Sequence, residues 1–431
     1  MNNSIAVTDK SKILTEAIAG VTTFLTMSYI VVVNPAILAA PGTGMSFNGV
    51  LTATVLLSFL MTLLMGLYAR LPFAVAPGMG VNAFFAFTLV IGQNLPWTIA
   101  LGIVFWAGVF FVLVSATPLR VMIANAIPSQ LRVAAAVGIG IFLTFIGLKN
   151  SGFIVADPAT FVKMGALDLK TILAILGLLI STGLLRRKNP LAYLIGIAAV
   201  TLLAWVLGLV KTPEQLIGTP DFDSVFLKLD IWGALKLSLL PAILSLMMTD
   251  LFDSISTFVG VAHAAGMVDA HGQPKQLKEG LLVDAFATLG AGLVGTSSGT
   301  AYIESSSGIE MGGRSGLTSV FTALCFLPCF FLGSLAGMVP PYATAGVLIL
   351  VGASMFRSIS TLKWDKMEEV IPAFLTIILI PLTFSITQGI LWGFISYVGF
   401  FIMAGRWREL KPTLVIIAMV ALLLLAIEHG K

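Results

Sequence analysis

Charge is what this sequence has least of. Lys, Arg, Asp and Glu together make up 10% of 431 residues, against 58% hydrophobic residues. Soluble domains carry about 25% charged residues, so a water-soluble chain is excluded and an all-α polytopic membrane protein, surrounded by lipid, is expected. Cysteine is limited to Cys325 and Cys329. They stand four residues apart in an apolar run with no nearby histidine or further cysteine, a weak metal pattern. Two buried small residues are the simpler reading, and no metal or cofactor is expected. Strict apolar–polar alternation is also missing. The apolar runs are continuous, which argues against a β-barrel. The net charge is only +4 and sits in loops, where the positive-inside rule accounts for it, so no nucleic-acid partner is implied. Residues 1–13 are polar and the first apolar run is long enough to span, so no cleavable signal peptide is expected.

What the chain does have is apolar runs of spanning length. The first two cover 16–38 and 48–68. The third, 73–90, begins FAVAPGMGVNAFF, where a proline and two glycines break a helix. An extended lead-in and a half-helix starting near Asn82 are expected there. Spans at 95–116, 133–147, 169–185 and 191–210 follow. Residues 211–230 are polar, with four acids and two prolines, as a surface loop should be. The second half repeats the layout at 234–264, 281–294, the broken 299–311, 316–338, 342–355, 370–386 and 389–403. A last apolar run, 414–427, reads as a short span or an interfacial helix.

Each half has seven spans, and the third is the broken one in both. Seven is odd, so the halves insert in opposite orientations, which predicts fourteen spans as a 7+7 inverted repeat with the broken helices facing each other. The expected division is 1–210 for the first repeat, 211–233 for an external linker, 234–404 for the second repeat and 405–431 for a basic turn with an apolar segment. With the N-terminus inside, Arg186, Arg187, Lys188, Arg357, Lys363, Lys366, Arg406, Arg408 and Lys411 all fall on the cytoplasmic side. A cell membrane, the bacterial inner membrane, is the expected location.

The stretch Gly295–Leu317, GTSSGTAYIESSSGIEMGGRSGL, holds six glycines, eight Ser/Thr and two glutamates. Non-helical backbone at membrane depth is tolerated only where protein buries it or it lines a wet cavity. An ionisable residue at that depth is a functional candidate. Three acids lie deep in spans: Asp250, Asp253 and Glu304. Asp250 and Asp253 are three residues apart and share a helix face. A buried carboxylate costs several kcal/mol unless paired, hydrogen-bonded or protonated. The nearest basic residue is Arg314, expected near the cytoplasmic mouth, so protonation is the simplest escape and these acids are candidate proton carriers. The bland reading for any one of them is a helix cap or an amide acceptor.

Half-helix N-termini offer free amides to a polar ligand. With a carboxylate beside them they suit a neutral planar heterocycle bearing N–H and carbonyl groups, coupled to a proton. A cation is the second reading, and a simple anion would be repelled by Glu304. Thr22, Thr23 and Thr26 give the first span a polar face toward the same cavity. His263 reads as a solvated or capping histidine and His271 as a loop residue. Asp284 and Glu310 are placed near span ends, where acids are tolerated, and Phe84, Phe85 and Phe87 read as lipid packing. A D-x-x-D prenyl-transfer enzyme would need a second Asp-rich motif, and an intramembrane aspartyl protease would need its acids on separate helices. A transporter is expected, not an enzyme.

PGMGVNAFF at 77–85, TDLFDS at 249–254 and GTSSGTAYIESSSGIEMGGRSGLT at 295–318 resemble the nucleobase:cation symporter-2 superfamily, most closely its Azg-like adenine/guanine/hypoxanthine permeases. The resemblance covers essentially the whole chain. It implies a core domain from 14–125 and 234–338 and a gate domain from 130–210 and 341–404. It also implies short strands in broken spans 3 and 10, with a purine base bound between them. Glu304 and Asp250 would then be the substrate carboxylates, Asp253 the second acid of span 8, and Asn82 the polar residue of span 3. Gly80, Tyr302 and Ile303 would border the site through backbone. Proton symport by an elevator motion, and a homodimer through the gate domain, are implied as well. A uracil or xanthine permease, and then an anion transporter of the same fold, are the alternatives.

Overall fold

The computed structural model describes residues 10–117, 127–213, 215, 217–264, 267 and 276–429. His271 and the side chain of His263 lie outside them. Short polar caps set several helix starts. Ser46 accepts from the amide of Gly49 at 3.2 Å ahead of Phe47–Leu64, Asp168 from Thr171 at 2.8 Å ahead of Leu169–Arg186, and Ser385 from Gln388 at 3.3 Å ahead of Ile386–Met403. Between caps, Leu, Ile, Val, Ala and Phe runs keep their backbone bonds within the helix, the condition for crossing lipid. Among the described residues, eight helical segments are long and apolar enough to span, including Trp97–Ala116, Ser129–Asn150 and Leu237–Ala262. Shorter apolar helices occupy Met79–Gly92, Ala192–Val206 and Gly316–Phe331. The protein is an all-α multi-pass membrane protein.

Among the described residues, four short strands interrupt the helices: β1 (Val75–Pro77), β2 (Ile154–Asp157), β3 (Phe161–Met164) and β4 (Gly299–Ala301). β1 and β4 pair antiparallel, Val75 opposite Ala301 and Pro77 opposite Gly299, and every residue of both is buried. β2 and β3 form an exposed hairpin that nothing in the apolar pattern announced. Lys163 pairs with Asp157 at 2.8 Å, and the amides of Ala159 and Thr160 donate to that carboxylate. Lys163 and these amides together lower the Asp157 carboxyl to about 2.

Several expected boundaries move. The first span breaks at Ser28–Tyr29 into Lys10–Met27 and Ile30–Leu38, with no glycine or proline at the break. The half-helix expected near Asn82 starts at Met79 instead, because Gly78 is extended and the Asn82 amide already bonds back to its carbonyl at 3.0 Å. The helix carrying Asp284 starts at Leu277, so Asp284 lies two turns inside it rather than near an end. Likewise Ser129–Asn150 starts a turn earlier than expected and takes Arg132 with it. The described residues of 211–233 are mostly exposed and are tied to the helices by hydrogen bonds. The Asp230 amide donates to Thr98 at 2.9 Å, Trp106 donates to Ile231 at 2.9 Å, and Asp221 accepts from Ser46 at 3.0 Å.

Two packing relations position the site. Lys10–Met27 lies on Gly316–Phe326, and Trp97–Ala116 on Leu277–Val294. Glu16 reaches across the first contact and accepts from the Arg314 and Ser315 amides and the Thr318 hydroxyl, capping the neighbouring helix. Separately, Ser129–Asn150 lies against Pro341–Phe356 and Met367–Thr383. The last helix, Pro412–His429, packs on Ile386–Met403 and on Leu240–Ala264.

Candidate functional site

The site is built where the two broken spans cross. Their backbones leave the helical path at Pro77–Gly78 and Gly295–Ser298, and satisfy each other instead of water. The β1–β4 ladder is extended by Gly78 donating to Ser298 at 2.9 Å and Tyr302 donating to Ala74 at 2.9 Å. Gly299 is required here, since a Cβ would come within 2.9 Å of the Ala287 Cβ and 3.1 Å of Leu57. Helical structure resumes at Met79 on one side and Ser305 on the other. The crossing therefore points two helix starts away from a buried strand pair.

Behind β4 lies a closed polar cluster. Asp250 is 0% exposed, and its Oδ2 accepts from the hydroxyls of Thr288 and Ser298, while Oδ1 has no partner among the described groups. Asp284, also 0% exposed, accepts from the Ala301 amide at 2.8 Å and from the Ser254 hydroxyl. Ser254 lies 2.8 Å from Thr300, and Thr288 lies 2.9 Å from Ser298. The apolar pattern places Asp284 near a span end, where an acid is tolerated. It is instead the acid that holds β4 through its amide, and only the shifted helix start reveals it.

In front of the crossing is a narrow cleft with a cavity volume of about 60 Å³, below the usual size range of small-molecule sites. Gly80, Ile139, Thr249, Phe252, Asp253 and Arg132 are on its wall. Asp253 is exposed there although Asp250, one turn back, is sealed. Gly80 faces Ile139 so closely that a Cβ would sit 2.5 Å from its Cγ2. Arg132 was missed by the sequence reading, because the apolar run begins only at Val133. Arg314, the basic residue that reading favoured, turns away: its guanidinium donates to the carbonyls of Ile309 and Gly313 and closes the end of Ser305–Glu310.

The remaining expected site residues are distributed around this cleft rather than on its wall. Glu304 immediately precedes Ser305–Glu310, is half-buried, and accepts from the Tyr29 hydroxyl at 2.8 Å. The Tyr29 ring in turn meets Tyr193 edge-on at 4.9 Å. Tyr302 is buried and donates its hydroxyl to the Pro77 carbonyl, while the Ile303 side chain is 60% exposed. Asn82 is fully buried with its amide nitrogen 3.9 Å from the Met79 sulfur and its oxygen without a partner. Thr26 spends its hydroxyl on the Thr22 carbonyl at 2.8 Å. So Gly80 and Asp253 come together on one cleft, Glu304 stands at the next helix start, and Asp250 and Asn82 are turned into the protein.

A sequence profile described as the Permease family matches residues 14–392. The chain belongs to that family. This permease is 45% identical over 411 residues to the adenine permease AdeP of Escherichia coli, covering 95% of this chain and 92% of that protein. It is 39% identical over 419 residues to the guanine/hypoxanthine permease PbuO of Bacillus subtilis, covering 95% and 96%. Among solved structures, the permease resembles the transmembrane domain of a cyanobacterium bicarbonate transporter, BicA, with a TM-score of 0.65 at 17% identity over 89% of this chain and 98% of that one. It also resembles SLC26A9, with a TM-score of 0.62 at 9% identity over 92% and 66%. At these identities the likeness is one of fold.

Proposed function

We propose that this permease carries purine nucleobases (adenine, guanine or hypoxanthine) into the cell together with protons. The observation that carries the reading is the crossing of two broken spans with Asp253 on a cleft and Glu304 at the adjoining helix start. Helix-start amides beside carboxylates offer both donors and acceptors, as a purine edge requires. Relatives named as adenine and as guanine/hypoxanthine permeases support the same substrate class. On this reading Glu304 and Asp250 serve the base, with Gly80, Asn82, Tyr302, Ile303 and Thr26 shaping its surroundings, and Asp253 exchanges the proton with the cleft.

The architecture that goes with it is fourteen spans in a 7+7 inverted repeat. Residues 14–125 and 234–338 form the moving core, and 130–210 and 341–404 form a gate through which two copies pair. The separate packing of Ser129–Asn150 with Pro341–Phe356 and Met367–Thr383 supports that division. A second reading, anion transport, draws support from Arg132 on the cleft wall. Asp253, on another helix lining the same cleft, opposes it.

Thermal stabilisation of the purified protein tests the substrate, using adenine, guanine, hypoxanthine, xanthine and uracil, with sulfate and bicarbonate as anion controls. Binding to the folded state raises its apparent stability by mass action. Stabilisation confined to the purines adenine, guanine and hypoxanthine is expected. A shift with sulfate, bicarbonate or uracil alone would overturn the substrate class. Uptake is expected to collapse with a protonophore and to ignore sodium at fixed pH; dependence on sodium would overturn proton coupling.

A further inference from the structure

Arg132 has no place in the sequence motifs, yet among the described residues it is the one basic group lining the cleft, and Asp253 is the one acid. They come from different helices: Arg132 from the first turn of Ser129–Asn150, and Asp253 from the middle of Leu240–Ala264. No ion pair joins them in this conformation. The Arg132 Nε is nevertheless buried with no hydrogen-bond partner. A guanidinium nitrogen stripped of water and left unpaired is costly. The Asp253 carboxylate is exposed on the same lining, beside Thr249 and Ser256, and accepts no hydrogen bond among the described residues. Each group is the missing partner of the other.

We propose that Arg132 and Asp253 are a charge pair made and broken across the cleft during transport, closed in the empty carrier and open when base and proton are aboard. This rests on the reading of the permease as a proton-coupled base transporter. When Asp253 gives up its proton on release of the base, it becomes a carboxylate, and Arg132 moves onto it. The empty cleft is then neutral while the core returns. Protonation of Asp253 removes the attraction and frees both walls for the next base. Arg132 is thus a positioning residue for the return step and not a ligand of the base. The two helices that carry the pair are already in contact, Leu240–Ala264 against Ser129–Asn150.

The test separates the return of the empty carrier from the passage of the loaded one. Proteoliposomes are assayed with radiolabelled adenine and hypoxanthine in two modes, net uptake driven by a pH gradient and counterflow against preloaded base. Arg132→Gln is expected to lose net uptake at least tenfold, with a much smaller loss of counterflow, and Arg132→Lys to recover part of the net uptake. Adding Asp253→Asn to Arg132→Gln should give the phenotype of Asp253→Asn alone. Equal loss in both modes, unchanged net uptake, or additive losses in the double variant would each overturn the pair. If wild-type vesicles move no base, the purine reading fails and the pair is decided by cross-linking. Arg132→Cys with Asp253→Cys, in a background of Cys325→Ala and Cys329→Ala, is treated with a short bis-thiol reagent and digested for mass spectrometry. A linked peptide supports approach of the two walls, and its absence overturns it.

Discussion

Asp250 and Asp253 stand one helical turn apart, and the protein treats them in opposite ways. Asp250 is enclosed with Asp284 behind β4, where four hydroxyls and an amide surround the two carboxylates. Asp253 faces a cleft that Arg132 also lines. The difference teaches that depth along a span does not by itself give an acid its role; what matters is which neighbouring element covers it. The first environment consumes acceptor capacity to hold a non-helical strand in place. The second leaves a carboxylate within reach of solvent and ligand. Glu304 belongs with the second kind, half-buried at a helix start with a single side-chain donor.

The largest effect should come from the reachable acids. Glu304→Gln is expected to lower base uptake about 100-fold, the scale of losing a hydrogen bond to a charged group, while the protein still inserts and is recovered from membranes. Wild-type uptake in that variant would remove Glu304 from the mechanism. Asp253→Asn should come next. It is expected to reduce concentrative uptake tenfold or more while base-induced thermal stabilisation persists. If stabilisation disappears too, Asp253 is a base ligand and the division between the two acids of this helix is drawn wrongly.

The sealed acids should respond in stability before they respond in transport. Asp284→Ala leaves the Ala301 amide and the Ser254 hydroxyl buried without their acceptor. About 1–3 kcal/mol of destabilisation is expected, read as a lower melting temperature without any base present. An unchanged melting temperature would mean that water or relaxation replaces the carboxylate, and that the cluster is looser than its geometry implies.

The sequence disclosed the class of the fold and the place of the two broken spans, and it did so through composition and interruption. Continuous apolar runs define the spans, and the proline and glycines of APGMG together with the polar run after Gly295 mark both breaks. What escaped it lay within a turn of a boundary. Arg132 and Asp284 belong to helices that start four residues before their apolar runs, because a first helical turn tolerates polar side chains that face protein. Tyr29 escaped because Ser28 and Tyr29 interrupt the first span without a helix-breaking residue. The β2–β3 hairpin falls between two spanning runs, and its order comes from local Asp157 bonds that no periodicity shows. The candidate side chains were visible as residue types, whereas their coverage depends on contacts between distant segments.

The smallest of the expected effects probes that kind of long-range contact. Tyr29 reaches Glu304 across 275 positions of sequence and rests its ring on Tyr193. Tyr29→Phe keeps the ring contact and removes only the donor. If Tyr29 holds Glu304 in the geometry that meets the base, the variant loses about 1 kcal/mol of binding, roughly fivefold in apparent KM, with the maximal rate unchanged. If instead Tyr29 competes with the base for Glu304, KM falls. A fall would place Glu304 closer to the sealed acids than to Asp253, as a carboxylate already committed to the protein until the base displaces its partner.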